Sequence, residues 1–402
     1  MKLGTPFDIA VVGAGLAGLE VSRRLAERGF RVLLADRKRM VGQTVRTTGI
    51  FVRRTLESFD LPQDCLGPVV RHVTLRTRSG QRLELMSSRA EFRVGRMKAL
   101  YEHELGRCQQ LGVEWLANAS FCASMWTRRG SIARFETPQG LREFDVRFIV
   151  GADGVDSSVA QDLGLDKNRE WIVGAEDVFE RVPLEGPPRF DCYLDADWAP
   201  GYIAWVVHDG EEVHLGVGGY PARFAVSEAL NRFREFIFAH NPWRDARHVE
   251  RRGGRIPVGG VLRRIASDRG LLVGDAAGAV SPLTAGGLDP CLRMSALAAE
   301  VITHYLNTDD AEALGPYEGN TFRRRFASRI WMRRLMKLSA SQSLLETALA
   351  ILRIRPFTAI ASHVFFGCCS FPDVDFAKIA RRFPATRARI ADKRRAAAFF
   401  AF

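Results

Sequence analysis

The stretch that most constrains this chain is FDIAVVGAGLAGLEVSRRLAERGFRVLLAD, residues 7–36. An apolar run from Ile9 to Val12 breaks on Gly13, Gly15 and Gly18. Apolar residues at helical spacing (Leu19, Leu25) then lead through Gly29 into a second apolar run, Val32 to Ala35, closed by Asp36. The pattern predicts strand, tight turn, helix and strand. Gly13 permits the turn, Gly15 lets backbone approach a pyrophosphate at the helix N-terminus, and Gly18 lets helix and strand pack closely. Asp36, 18 residues past Gly18, is placed to accept hydrogen bonds from an adenosine ribose. A bare Gly-x-Gly-x-x-Gly is no more than a turn before a helix. With both strands, the helix and the terminal acid present, it predicts a dinucleotide site.

Two further strand ends are rich in glycine. In FDVRFIVGADGVDSSVAQDLGL, residues 144–165, a buried strand ends in Gly151-Ala152-Asp153-Gly154 and a helix follows, capped near Asp156 or Ser157. In RGLLVGDAAGAVSPLTAGGLDPCLRMSALAAEVI, residues 269–302, a strand runs into Gly274-Asp275, a loop carries Pro282 and Gly286-Gly287, and a long helix begins at Leu288. An acid at a strand end followed by small residues suits hydrogen bonding to a polyol, and the helix N-terminus after Gly287 supplies positive potential. Each alone could be a turn; three in this order are hard to explain by turn chemistry.

Between these markers, MVGQTVRTTGIFVRR (Met40 to Arg54) reads as a loop near a bound cofactor, and LPQDCLGPVV as a break. VTLRTRSGQRLELM has the alternation of a hairpin about Ser79-Gly80. Phe92 to Leu111 has a helical pattern with Arg96 near its start, placed for a phosphate, and VEWLANASF reads as a strand. In GYIAWVVHDGEEVHLGVGG, residues 201–219, an extended strand puts Ile203, Trp205 and Val207 on one face. That face is either a wall for a hydrocarbon or ordinary sheet core. The helical stretch SEALNRFREFIFAHNPW and then RRGGRIPVGG complete this part.

With 402 residues, 47% apolar and 26% charged, the chain has globular composition and length for two or three domains. Its first strand starts almost at once, so no signal peptide is expected, and seven scattered cysteines without metal-ligand spacing read as reduced thiols with no metal. The expected compartment is cytoplasmic. The net charge of +12 is concentrated at the C-terminal end. From Arg323 onward there are 17 Lys or Arg against four acids, interleaved with apolar pieces such as ALAIL and SHVFFGCCSF. This suits a peripheral position on the anionic inner face of a membrane, with a solvated helical face as the competing explanation. Charged residues interrupt every apolar run short of a bilayer span, and no nucleic-acid motif accompanies the charge.

The order Gly-x-Gly-x-x-Gly, GADG, GDAAG resembles the large class of FAD-dependent oxidoreductases that includes aromatic hydroxylases, halogenases and prenyl reductases. Within it, Gly278 stands where hydroxylases usually have His after Gly-Asp-Ala-Ala. The continuation SPLTAGGL with LAAEVI, and the segment 201–219, are similar to the geranylgeranyl reductase family, which reduces isolated double bonds of isoprenoid chains. That family's Tyr-x-Trp-x-Phe-Pro segment is matched in part: with Trp205 in register, Ile203 takes the Tyr position, Val207-His208 the Phe-Pro pair, and Tyr202 is displaced by one, to the opposite face of a strand. The family's Lys-x-Cys-Gly loop is replaced by Arg46-Thr47-Thr48-Gly49.

The resemblance implies an α/β fold. A glutathione-reductase-type FAD-binding domain (1–60, 92–165 and 264–310) would be interrupted by a mainly antiparallel substrate domain (61–91 and 166–263) and followed by a basic helical region (311–402). It implies FAD held by Gly13, Gly15 and Gly18 at the pyrophosphate, Asp36 at the ribose and Arg96 at a phosphate or the ribityl chain. Asp153 would shape the pyrophosphate region, Asp275 would bind the ribityl hydroxyls, and Gly286, Gly287 and Leu288 would face the isoalloxazine pyrimidine edge. The implied reaction is hydride transfer from reduced flavin to an alkene of a lipid or other hydrophobic substrate, with Ile203, Trp205 and Val207 as its wall. The proton donor is unassigned, His208, Tyr202 and solvent being the candidates. A flavin monooxygenase of a hydrophobic substrate and a non-catalytic prenyl-lipid carrier are the alternatives. No second Gly-x-Gly-x-x-Gly unit follows Asp36, GVGGYP at Gly216 having the wrong spacing, so electrons are expected from a carrier protein or from transiently bound NADPH.

Overall fold

The strands Phe7–Val12 and Val32–Ala35 carry apolar side chains on both faces, which only a sheet covered on both sides accommodates. They lie at the centre of an eight-stranded sheet in the computed structural model, which describes residues 6–128, 130–338 and 341–366. The main path of that sheet runs Ala266–Ser267, Gly270–Leu272, Gly140–Gly151, Phe7–Val12, Val32–Ala35, Glu114–Leu116, and its last five strands are parallel. Ser120–Thr127 and Gly130–Thr137 extend it antiparallel through Gly140–Gly151. The helix Leu16–Ala26 packs on Met97–Gln110 and on the long helix Leu288–Thr308.

A second, seven-stranded sheet is antiparallel except at one pairing. Its order is Arg247–Pro257, Trp171–Glu180, Glu212–Gly219, Ala204–His208, Arg189–Leu194, His72–Thr77, Arg82–Met86. The hairpin about Ser79-Gly80 is therefore formed and joins this sheet. The amphipathic helix Val226–Ala239 buries Leu230, Phe233 and Ile237 against one face, over Val206, Val213 and Leu215. The opposite face turns Trp205 and Val207 toward Val94, Ile50 and Ala285, which lie outside that sheet. The chain thus has the expected α/β fold with an antiparallel second sheet and C-terminal helices.

Local departures from the sequence reading have physical causes. Phe92–Gly95 is a strand rather than the first turn of the helix, because it pairs with Ile50–Val52 and Leu66–Val70 in a third small sheet. Leu66–Val70 is itself a strand despite Gly67 and Pro68, with a bulge absorbing them. Tyr202 lies in a turn, since regular alternation begins only at Ala204. Its ring therefore packs edge-on to Trp205, 6.4 Å between centroids, instead of facing away.

The C-terminal region is helical, but part of its charge is spent inside the protein. Arg323 donates to the carbonyls of Gly259 and Val261 at 2.9 and 3.0 Å, Arg329 is buried and donates to Ser281 Oγ at 2.9 Å, and Arg333 is buried against Tyr220 and Gly201. These three cations hold the helices Gly319–Arg325 and Ala327–Leu338 onto the two sheets and are not available to lipid. Trp331, Leu335, Leu344, Ile351, Ile354 and Phe357 are exposed. Among the described residues no single helix is long and apolar enough to cross a membrane. The second half of SHVFFGCCSF, Cys368, Cys369 and the DKRR run lie outside the described residues.

Trp205 can lie flat on its own sheet only because the neighbouring strand lacks a side chain beneath it. A Cβ on Gly216 would sit 2.3 Å from the indole ring and 2.8 Å from Glu176 Cβ. Gly216→Ala is expected to lower stability by about 1–3 kcal/mol through overpacking, measured by denaturant unfolding; an unchanged midpoint would contradict this packing.

Candidate active site

The glycine turn is built for two separate reasons. Gly13 has φ +103°, its N–H donates to Ala35 O at 2.7 Å, and a Cβ there would lie 2.3 Å from Ala152 O. A Cβ on Gly18 would lie 1.8 Å from Gly13 O. Both positions are fixed by backbone packing. Gly15 is different: nothing lies within 4 Å of where its Cβ would be, and it caps the helix Leu16–Ala26 in an extended conformation. The open space is at the helix start, where unpaired N–H groups favour an anion. Asp36 first organises the turn, accepting from Ala14 N–H at 2.7 Å and Lys38 N–H at 2.8 Å on its two oxygens. Each oxygen keeps a second lone pair for a ribose hydroxyl.

Asp153 and Asp275 stand at the C-terminal ends of two neighbouring parallel strands, Gly140–Gly151 and Gly270–Leu272. Asp153 Oδ2 accepts from Ser158 N–H, Ser158 Oγ and Val159 N–H at 2.7, 2.9 and 3.2 Å, capping the helix Ser158–Asp162 together with Ser157. Its Oδ1 is buried without a partner. The Asp275 carboxylate has no hydrogen bond or ion pair with any other described residue. It keeps some solvent contact, yet protein crowds it and burial pushes its carboxyl up to about 6. Its Oδ1 lies 3.6 Å from the Cβ position of Gly287, which caps the helix Leu288–Thr308.

The loop that presents this helix start is held from several sides. Ser281 N–H donates to Gly286 O at 3.0 Å, Thr284 Oγ1 to Ser281 Oγ at 2.9 Å, and Ala285 adopts φ +52°. Leu288 packs on the core, and Asp289, buried in the first turn, accepts from Thr55 and Arg293 at 2.9 Å each. An open cradle at Gly15, an unpartnered Asp153 oxygen and an unpartnered Asp275 carboxylate share one edge of the parallel sheet. That edge, outside the carboxyl ends of the strands, is where such sheets bind ligands. The donors and acceptors fit a flavin dinucleotide, with its phosphates at Gly15 and its polyol at Asp275.

Arg96 is placed elsewhere. It caps the helix Met97–Gln110, and its guanidinium pairs with Asp209, Glu211 and Glu212 at 2.8, 2.7 and 3.0 Å. It is a pin between the flavin-type half and the strand Glu212–Gly219, and a phosphate contact would have to displace these carboxylates. His208 is buried, with Nδ1 accepting from Gly210 N–H at 3.2 Å and Nε2 on Pro183 O at 3.3 Å, and burial lowers its pKa. With both nitrogens held by backbone it is suited to fixing a turn, not to donating a proton. Tyr202 donates to Thr284 O at 2.7 Å, and burial raises its phenol well above the ordinary value. It steadies the loop at Ala285. Trp205 and Val207 do share a face, and Ile203, just ahead of the strand, packs on the same apolar cluster.

A polar group on that face escaped the sequence reading. Glu176, buried in the strand Trp171–Glu180, accepts from Thr48 Oγ1 at 2.5 Å and Trp205 Nε1 at 3.2 Å on Oε2; His214 Nδ1 lies 3.3 Å and Arg252 3.5 Å from Oε1. His214 Nε2 is 3.1 Å from Glu212. In WIVGAEDVFE and EVHLGV the only sign is ionisable side chains, Glu176 and His214, in the middle of strands rich in apolar residues.

Residues 8–202 match a family of FAD dependent oxidoreductases and residues 129–333 a FAD binding domain family. The chain is 30% identical over 320 residues to digeranylgeranylglycerophospholipid reductase 1 of Methanopyrus kandleri, covering 76% of this chain and 83% of that protein. It is 27% identical over 326 residues to digeranylgeranylglycerophospholipid reductase of Methanocaldococcus jannaschii, covering 79% and 82%. Its fold resembles that of a geranylgeranyl bacteriochlorophyll reductase-like protein from Thermoplasma acidophilum (TM-score 0.79, 18% identity, 96% of this chain and 99% of that one). It is also similar to p-nitrophenol 4-monooxygenase from Pseudomonas putida (TM-score 0.67, 19% identity, 89% and 98%). The cradle and these matches together define an FAD-dependent oxidoreductase. More narrowly, the chain belongs to the geranylgeranyl-reductase-like family of that class.

Gly15→Val should fold but purify nearly colourless, because only the open cradle is filled; full flavin occupancy in that variant would refute the pyrophosphate position. Asp275→Ala should weaken flavin retention by about 1.5–3 kcal/mol, the worth of a charged hydrogen bond. In flavin-free protein, the raised Asp275 favours the neutral acid, so stability should fall as pH rises from about 4 through about 6. Asp275→Asn should remove roughly 1–3 kcal/mol of that fall, read from unfolding midpoints across pH; parallel profiles for the two proteins would contradict it.

Proposed function

We propose that this protein is an FAD-dependent reductase that saturates carbon–carbon double bonds of an isoprenoid or prenyl-lipid substrate. One observation carries the reading: the inward face of the seven-stranded sheet presents Phe190, Trp205 and Val207 to the loop at Ala285, beside the flavin cradle. When bound and reduced, FAD supplies the hydride. Trp205 and Val207 line the path of the hydrocarbon, Tyr202 fixes the loop through Thr284, and the apolar cluster excludes water from the reacting carbons. The relatives named as reductases of a digeranylgeranyl glycerophospholipid support this substrate class. A carrier without redox chemistry would have no use for the free Asp153 oxygen and the Asp275 carboxylate beside the cradle.

A prenyl lipid must be reached in or near a membrane. The exposed apolar side chains of the C-terminal helices, with exposed Arg324, Arg334, Arg353 and Arg355 beside them, support a peripheral contact with anionic lipid. Anaerobic mixing of chemically reduced enzyme with a polyprenyl lipid should reoxidise the flavin and yield a product heavier by two hydrogens. Reoxidation only with oxygen, giving a hydroxylated product, would move the protein to the monooxygenase reading.

The glycines at 216–219 make room for Trp205, Tyr202 and Pro200 and do not form a second nucleotide turn. Hydride transfer needs donor and acceptor atoms held at roughly 3–3.5 Å. NADPH is therefore expected to reduce the flavin slowly, with a carrier protein as the efficient donor. Rapid, saturable bleaching by NADPH alone in anaerobic stopped flow would contradict this.

A further inference from the structure

The apolar wall beside the flavin cradle does not end at Phe190. Across the paired strands Trp205 stands beside Cys192, Cys192 beside Leu75, and Leu75 beside Leu83. In the neighbouring row Val207 stands beside Phe190, Phe190 beside Val73, and Val73 beside Leu85. Residues directly opposite one another on adjacent strands share a face. Two apolar rows therefore cross four strands side by side, from the wall to the edge strand Arg82–Met86. With strands about 4.8 Å apart, each row is roughly 14 Å long. Ile50, Ile203 and Phe190 belong both to the cluster at the wall and to the cluster at the far end, so the two are continuous.

The far end of these rows is roofed by the helices Gln342–Leu352 and Arg355–Phe366. Leu349 and Ala361 are buried over it, and Gln342 fastens the first helix by donating to Leu194 O at 3.4 Å and accepting from Ala196 N–H at 3.1 Å. Aromatic rings close the gap where the roof meets the wall. Phe190 lies edge-on to Phe92 and to Phe365, 6.4 Å between centroids in each case, and Phe92 tilts against Phe366 at 6.0 Å. Such contacts part without leaving a polar group unpaired, and a hydrocarbon can take the place of a ring. The outer side of the same helices is apolar as well, with Leu344, Ile351, Phe357 and Ile360 exposed. Arg353, Ile354 and Arg355 are exposed at the break between them, where the chain bends by 98°. A helix apolar on both sides is out of place in water. A bent pair with cations at its bend suits lying in the plane of an anionic interface.

We propose that these two helices are the doorway through which a prenyl lipid passes from an anionic bilayer to the flavin. Their outer side lies among acyl chains, with Arg353 and Arg355 at the lipid phosphates. The prenyl chain enters under the roof, displacing Phe365 and Phe366 from Phe190 and Phe92, and follows the two rows to Trp205 and Val207. This rests on the reductase reading and adds to it the side from which the substrate arrives. A second copy of this chain seated on the same surface would bring more of the same charge to the bend, whereas anionic lipid neutralises it.

The test presents one polyprenyl lipid to the flavin-loaded full chain in two ways, in vesicles of phosphatidylcholine and phosphatidylglycerol and in detergent micelles. A variant combining Ile351→Ser, Phe357→Ser and Ile360→Ser changes only exposed positions. Its binding to vesicles and its anaerobic flavin reoxidation on them should fall by roughly tenfold or more, with the micelle rate and the unfolding midpoint unchanged. Arg353→Gln with Arg355→Gln should lose roughly tenfold in binding to these vesicles and nothing on phosphatidylcholine alone. The route itself is read without turnover: the same lipid with a photoreactive diazirine in its chain should label Phe92, Phe365 or Phe366 of the vesicle-bound wild type. If the serine variant fails to fold, the arginine pair and the photolabelling decide. Several results would overturn the doorway and leave the reductase reading intact. They are equal vesicle binding by wild type and variants, a loss as large in micelles as on vesicles, and a wild type active in micelles alone. Wild-type dimers that the serine variant converts to monomers, or labelling that spares all three rings, would do the same. Failure of the wild type to saturate the lipid in either form would instead overturn the reductase reading, and the doorway with it.

Discussion

The buried Glu176 carboxylate is the contact on which the geometry between the two sheets depends. It gathers donors from four places: the loop at Thr48, Trp205 on the apolar wall, His214 on the adjoining strand, and Arg252, which also donates to Thr47 O at 3.1 Å. Apolar burial between the sheets is non-directional and would tolerate sliding. Hydrogen bonds to one carboxylate do not, because removing a partner from a buried charge costs about 3–5 kcal/mol. The Arg96–Asp209 pair repeats the device nearer the surface, joining the start of the helix Met97–Gln110 to the turn after Ala204–His208. The wall of Phe190, Trp205 and Val207 is thereby fixed relative to the loop at Ala285.

That loop is in turn fixed from both directions. Tyr202 reaches it from the seven-stranded sheet, and Arg329 reaches Ser281 from the C-terminal helices. The helix N-terminus after Gly287 and the Asp275 carboxylate therefore stand on a rigid base, which is what the proposed site of a redox cofactor with a single productive face requires. The C-terminal helices accordingly have two sides: buried arginines that brace the site, and an exposed apolar surface at Trp331 and Leu335.

The flavin-type half was legible in the sequence because its signals are local. Gly13, Gly15 and Gly18, and the two later strand-end acids, act through neighbours a few residues away or through the fixed geometry of a strand and its following helix. Arg96, His208 and Tyr202 were not legible in the same way. The partners that define them, Asp209, Pro183 and Thr284, come from other elements, and helix or strand periodicity says nothing about them. Glu176 and His214 were missed for a related reason: Glu176 is followed at once by Asp177 on the opposite face, and the sequence does not say which of two adjacent acids meets a partner inside. Counting charge treated Arg323, Arg329 and Arg333 like their exposed neighbours, although they are spent inside the protein.

The most direct measurement is a crystal structure of the flavin-loaded protein with a polyprenyl lipid bound. The hydrocarbon should lie along Phe190, Trp205 and Val207, with one double bond against the flavin ring beside the loop at Ala285. A chain bound away from this wall, or one with no double bond beside the loop at Ala285, would contradict the arrangement on which the proposed reduction depends.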